Sequence, residues 1–311
     1  MKSHRDTVLP FDLPVYSQLI CQYDSPRAAL WAYMDPAPRP CFTPMLLAEI
    51  GDLQQRLGQY LRSGEGEPTV KFLVYASAKS GVFNLGGDVN LFTKFITTRD
   101  RNRLQNYGQA CIDALYRNTT GVGCPDKLTT VALVQGAALG GGFEGALSCN
   151  VVIAEEDAKM GFPEILFNLF PGMGALSLLS RRIHIAQAER LIQSGDLYSA
   201  RALGEMGVVD EVVPKGTGVH AVADFIRRHE RAANGRAAVR AARQRVNPVS
   251  YAELLDVVNI WVDAAMRLTG RDLRTMHRLV AAQDRMSAGD DAAREVVRPL
   301  PNVTYARAVG E

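Results

Sequence analysis

The segment 130–154 constrains this chain most. An apolar run, Thr130-Val131-Ala132-Leu133-Val134, reads as a strand and leads directly into Gly136-Ala137-Ala138-Leu139-Gly140-Gly141-Gly142-Phe143-Glu144. A second apolar run, Val151-Val152-Ile153-Ala154, follows after room for only a short helix. Glycines in such a turn let the backbone approach a ligand closely, and a helix starting among them offers free N–H groups to a developing negative charge. Gly140, Gly142 and Gly145 also satisfy the pattern GxGxxG, but a dinucleotide fold needs a crossover of about a dozen residues before its next parallel strand. Only Phe143 to Asn150 are available, and Glu144 would set its charge beside the pyrophosphate. The dinucleotide reading is therefore excluded.

The rest of the chain alternates in the same way. Leu46, Leu47, Ile50, Leu53, Leu57 and Leu61 recur every three to four positions up to Ser63-Gly64, which predicts an amphipathic helix over 44–63. A strand follows at 70–75, then the turn Asn84-Leu85-Gly86-Gly87-Asp88, leading into one helix over 89–117. Residues 1–40, punctuated by prolines, read as early strands around Val15-Tyr16 and Leu30-Trp31-Ala32-Tyr33. After residue 216 the strand signal ends, and helices are expected over 221–233, 237–246, 251–268 and 271–286. The fold class is α/β, with a core over 1–215 that carries the active site and a helical C-terminal region over 216–311. The tail from Pro299 reads as frayed.

The charges, 35 Lys+Arg against 33 Asp+Glu for a net +2, exclude a globally basic nucleic-acid binder and an acidic tail protein. Cys21, Cys41, Cys111, Cys124 and Cys149 show no ligand spacing and read as free thiols of a reducing compartment. The start, Met1 to Asp6, lacks an apolar leader, and no apolar run approaches the ~18 residues of a membrane span. These features predict a cytoplasmic protein, in which the sequon at Asn118 carries no meaning.

Two carboxylates stand out. Glu144 falls in the first turn of the short helix, where an acid by itself complements the helix dipole. Glu164, in Gly161-Phe162-Pro163-Glu164, has apolar neighbours in Ile165, Leu166, Phe167, Leu169 and Phe170, so burial should raise its pKa; a helix-capping acid is the structural alternative. Glu155, Glu156 and Asp157 read as a solvated turn. The turn Phe83 to Asp88 has the same glycine-rich character, and N–H groups from two such turns can converge on one oxygen as an oxyanion hole. There is no GxSxG, GxxxxGK[ST] or HExxH. His4, His184, His220, His229 and His277 lie outside the glycine-rich segments and read as surface or packing residues.

Taken in order, Gly86-Gly87-Asp88, the run Val131 to Glu144, and Gly161-Phe162-Pro163-Glu164 resemble the crotonase (enoyl-CoA hydratase/isomerase) superfamily. Phe83 to Asp88, Phe143-Glu144, Asn168-Leu169-Phe170-Pro171-Gly172-Met173-Gly174 and Ile260-Trp261-Val262-Asp263 resemble more closely its bacterial diffusible-signal-factor synthases, which make cis-2-unsaturated fatty acids for quorum sensing. The resemblance implies a spiral of ββα units, assembled as a trimer or a dimer of trimers. It implies that Gly87 and Gly141 supply the oxyanion-hole N–H groups and that Glu144 and Glu164 form the acid/base pair, Glu164 acting at C2 and Glu144 at the 3-hydroxyl. Met173, Trp261 and Leu279 would line the acyl-chain pocket, although Trp261 also fits an ordinary core helix. The implied substrate is a medium-chain 3-hydroxyacyl thioester on acyl carrier protein or CoA, with no metal or redox cofactor. Two departures matter: the turn reads Leu85-Gly86-Gly87-Asp88 where ordinary hydratases carry Ala-Gly-Ala-Asp, and no basic cluster suited to CoA phosphates flanks the first motifs. The arginines between Arg227 and Arg245 are either a solvated helix face or a contact for an acidic carrier. An ordinary enoyl-CoA hydratase is the nearest alternative. A non-catalytic regulatory protein, partnered for instance by the receiver domain of a sensor kinase, is the other.

Overall fold

A computed structural model describes the backbone of residues 9–64 and 69–291. The expectations for Met1 to Asp6, for His4 and for the tail from Pro299 fall outside these residues. After β1 (Leu19–Asp24) and β2 (Ala29–Met34), a helix α1 (Pro44–Ser63) starts at Thr43, whose hydroxyl accepts from Leu46 N at 3.0 Å. The chain then repeats one unit: a long buried strand, a three-residue strand displaced from it, and a helix. β3 (Phe72–Ser77) and β4 (Val82–Asn84) precede α2 (Val89–Thr97) and α3 (Arg101–Thr119). β5 (Thr129–Val134) and β6 (Ala137–Leu139) precede α4 (Gly141–Leu147). β7 (Val151–Glu155) and β8 (Lys159–Gly161) precede a 3-10 turn at Pro163–Phe167, then α5 (Ala175–Leu179) and α6 (Ile185–Ser194). β9 (Leu197–Ser199), α7 (Ala200–Glu205) and β10 (Glu211–Val213) close the spiral.

The long strands form a six-stranded sheet ordered β1-β2-β3-β5-β7-β10, parallel except for the β1/β2 pair. The short strands form a second sheet, β4-β6-β8-β9. β3 and β5 are buried at every position because helices or the second sheet cover both faces. The steps from β3 to β4 and from β5 to β6 turn through Gly81 and Gly136; Gly136, at φ 107°, lies so close to Gly81 that a Cβ there would strike its carbonyl.

Two expectations are corrected. The single helix over 89–117 is two, because Arg99 takes a left-handed conformation at φ 57° and Asp100 caps a new start by accepting from Arg103 N at 3.1 Å. Val15-Tyr16 is not a strand; the Tyr16 hydroxyl instead donates to Asp52 at 2.8 Å. Asn118 is buried and hydrogen-bonded to Gln54 and Ser148.

After β10 the chain is helical: α8 (Gly218–Glu230), α9 (Ala233–Val246), α10 (Tyr251–Ala265) and α11 (Gly270–Asp291). α8 packs Val222, Phe225 and Ile226 against Trp31, Phe72 and Val74 of the large sheet. α10 buries Leu254, Val258, Trp261 and Val262 against α3, whereas α9 buries no residue. No helix among the described residues is long and apolar enough to cross a membrane, and all five cysteines are buried free thiols.

Candidate active site

Two glycine turns meet at the start of α4. Gly86 takes φ 92° and Gly140 φ 51°, both open to glycine at little cost. A Cβ on Gly86 would lie 3.1 Å from Gly141 N, and one on Gly141 would lie 3.4 Å from Gly87 N. The N–H groups of Gly87 and Gly141 have no acceptor among the described residues, and both residues line one cavity. The Gly87 arm is well anchored. Asn84 Oδ1 accepts from Gly86 N at 2.8 Å, and the Gly86 carbonyl accepts from Phe42 N at 2.8 Å. The Tyr107 hydroxyl donates to the Phe42 carbonyl at 2.5 Å and accepts from Asp88 N at 3.3 Å, joining α3 to the residue after Gly87.

Glu144 and Glu164 face the same cavity. Glu144 is fully buried, and its Oε1 accepts from Met173 N at 2.8 Å and Ala175 N at 2.9 Å. Besides lying in the first turn of its own helix, it thus caps the start of α5. Glu164 fills the space left by the missing side chain of Gly140, and its Oε2 is buried without a hydrogen-bond partner. Burial pushes Glu164 up to about 8, with the Glu144 charge adding to the rise. Burial also pushes Glu144 up to about 7, opposed by the amides of Ala175 and Met173. The amides favour charge on Glu144, so of the two carboxyls Glu164 is the one that holds a proton more readily.

Met173, Trp261 and Leu279 all line this cavity, the last two brought in by α10 and α11. Its inner wall also includes Phe42, and Leu47, Tyr107, Cys111 and Leu115, which fall within the helices expected from the sequence. Phe92 of α2 lies against Gly87 and packs edge-on to Tyr107 and Trp261, at ring separations of 5.0 and 5.2 Å. No Lys or Arg lines the cavity among the described residues.

The apolar setting of Glu164 differs from the expected one. Ile165 and Leu166 are 39% and 50% exposed, and the enclosure comes from Phe167, Leu169 and Pro171. Five residues in a 3-10 turn cannot all face inward. Glu155 is likewise no solvated turn residue: it is buried and accepts from Gln135 Nε2 at 2.8 Å and Gly218 N at 3.0 Å, while Glu156 and Asp157 are exposed. His184 caps α6, His220 and His277 are exposed, and His229 packs between Phe72 and Phe225, where burial pushes its pKa down to about 4. Of the arginines of α8 and α9, Arg240 is partly buried and reaches the Thr129 hydroxyl; the others are exposed, Arg243 among them, although it reaches the Arg181 carbonyl.

A spiral of paired strands with two facing glycine turns is the frame of proteins that handle acyl thioesters through an oxyanion hole. The chain belongs to the enoyl-CoA hydratase/isomerase family, whose model matches residues 50–264. The alpha subunit of the fatty acid oxidation complex of Idiomarina loihiensis is 32% identical over 169 residues, covering 54% of this chain and 22% of the relative. The chain therefore spans about a fifth of that protein's length. Among solved structures, a putative enoyl-CoA hydratase from Streptomyces avermitilis aligns with a TM-score of 0.70 at 17% identity, covering 92% of this chain and 100% of that one. Human mitochondrial delta3-delta2-enoyl-CoA isomerase gives 0.69 at 17% identity, covering 87% and 99%. DspI of Pseudomonas aeruginosa gives 0.59 at 20% identity, covering 88% and 98%. At these identities the likeness is one of fold.

Proposed function

We propose that the protein dehydrates a medium-chain 3-hydroxyacyl thioester to the cis-2-enoyl form and then releases the free unsaturated acid as a signal, as a diffusible-signal-factor synthase does. The observation that carries the reading is the convergence of Glu144, Glu164 and the unpaired N–H groups of Gly87 and Gly141 on one apolar cavity. The two N–H groups hold the thioester oxygen as negative charge develops on it; one such donor is worth about 2.7–4 kcal/mol in another enzyme. Ionised Glu164 takes the C2 proton, and protonated Glu144 gives its proton to the 3-hydroxyl, which leaves as water. For release, a carboxylate takes a proton from a second water as that water attacks the carbonyl, and the carrier thiol departs. The cavity's lack of basic lining supports a carrier-protein thioester over CoA. No metal or redox cofactor enters these steps. Trp261 and Leu279 of the helical region after residue 216 complete the acyl pocket, and that region supports a homo-oligomeric assembly.

A second reading, hydration of a trans-2-enoyl-CoA, is favoured by one observation. The amides on Glu144 leave the resting proton on Glu164, the arrangement that delivers a proton to C2. Dehydration starts from the other arrangement, with the proton transferred to Glu144.

The test is to incubate the protein with 3-hydroxydodecanoyl carrier protein and, separately, with trans-2-dodecenoyl-CoA, and to resolve products by chromatography and mass spectrometry. Free cis-2-enoic acid is expected, with kcat falling about 10²–10⁴-fold in Glu144→Gln and in Glu164→Gln. Brisk hydration of the CoA substrate with no free acid would replace this reading with the second. Neither product from the wild-type protein, with signal production in cells undiminished by Glu144→Ala and by Glu164→Ala, would make the fold a regulatory binding partner instead.

A further inference from the structure

The C-terminal end of α4 borders a second cavity, of about 290 Å³. Its walls combine Ser148 to Asn150 after α4, the end of α3, and the unburied helix α9. Four guanidinium groups line it, those of Arg181, Arg182, Arg240 and Arg243, and no carboxylate does. Two of the four are neutralised from outside the cavity. Arg181 pairs with Glu253 at 2.7 Å and Arg182 with Asp210 at 2.9 Å, both also bonded to backbone carbonyls.

Arg240 and Arg243 have no carboxylate partner among the described residues. Arg240 donates to the Thr129 hydroxyl while its Nε is buried without an acceptor, and Arg243 donates only to a carbonyl. Burial lowers the pKa of both, and for Arg243 the charges of Arg182 and Arg181 lower it further, against the opposite pull of Asp210. For Arg240, part-buried with an orphan Nε, charge drawn out of water without a counter-ion is costly, and an anion placed between it and the more exposed Arg243 removes that cost. Side-chain donors of Asn150 and Gln244 stand on the same walls. Guanidinium groups match phosphate oxygens in planar, two-bond geometry.

We propose that this cavity binds a phosphate-type dianion, with Arg240 and Arg243 as its principal ligands. The site is separate from the thioester cavity, since α4 presents Gly141 and Glu144 to one and Ser148 to Asn150, past its end, to the other. Its occupant is a free phosphate or diphosphate, or the phosphate of a nucleotide.

Titration calorimetry with inorganic phosphate, pyrophosphate and adenosine 3′,5′-bisphosphate, at constant ionic strength against chloride, tests this. One saturable site is expected, weakened at least tenfold in Arg240→Gln/Arg243→Gln and unchanged in Arg227→Gln/Arg231→Gln, which alters exposed arginines. Preference for pyrophosphate or for the nucleotide identifies the source. Absence of saturable binding by all three probes, or equal weakening in both double variants, overturns the proposal. Hydrogen exchange of residues 233–246 in the wild-type protein provides a readout that does not depend on the variants folding: pyrophosphate is expected to slow it, and unchanged exchange at saturating probe overturns the proposal as well.

Discussion

The two ends of α4 handle buried charge in opposite ways. At its start, two carboxylates lie in an apolar cavity: two backbone amides hold Glu144, and burial together with the Glu144 charge favours the neutral form of Glu164. At its end, arginines crowd a polar cavity where Arg182 is satisfied by Asp210 and the carbonyls of Val208 and Cys149. The first arrangement destabilises the fold and supplies chemistry, whereas Arg182 stabilises it by tying β7, β10 and the end of α4 together. Satisfaction of partners, more than burial itself, sets the sign of a charged group's contribution.

The largest expected effect tests the stabilising end. Arg182→Gln leaves Asp210 and two carbonyls short of a donor and should lower unfolding free energy by about 2–4 kcal/mol, read by urea denaturation; a loss under ~1 kcal/mol would break the contrast. Glu164→Gln should have the opposite sign, and only in one pH range. The folded-state pKa of Glu164, about 8, lies above its unfolded value, so the stability associated with the protonated group is complete below about pH 4.5 and lost as pH rises through 8. The amide carries no such loss. Glu164→Gln should therefore melt about 2–4 °C above wild type at pH 9 and together with it at pH 4.5, as ~1 kcal/mol would produce in a chain of this size. The smallest effect concerns the oxyanion arm. Tyr107→Phe removes the bridge between Phe42 and Asp88 and should cost about 0.5–1.5 kcal/mol of stability. It should also lower kcat several-fold with KM little changed, because the arm carrying Gly87 loosens while the acyl cavity keeps its shape.

Much of this was legible in the sequence where one periodicity dominated. Pro44–Ser63 forms the expected helix because its apolar residues keep helical spacing up to a glycine at φ 65°. The second sheet was not legible, since strands of three residues such as Val82–Asn84 and Lys159–Gly161 are too short for alternation to register. The break at Arg99 was hidden because the left-handed residue is not glycine; the available signal was Asp100, an N-cap residue type inside an apparent helix. Glu144, Glu164, Gly87 and Gly141, singled out by the resemblance that their ordered motifs carry, line one cavity. Tyr107, Cys111 and Leu115 were not singled out, because a helix face turned to a cavity has the same spacing as one turned to a core.

The aromatic contact over Gly87 gives the protein a built-in optical reporter. The chain has two tryptophans: Trp31 is sealed in the large sheet beside Tyr33, whereas Trp261 forms the wall of the acyl cavity in edge contact with Phe92. A ligand that enters this cavity meets both rings, and a change in indole emission belongs to Trp261 alone, because Trp31 lies away from the cavity. Occupancy of the cavity can thus be followed in real time without a label.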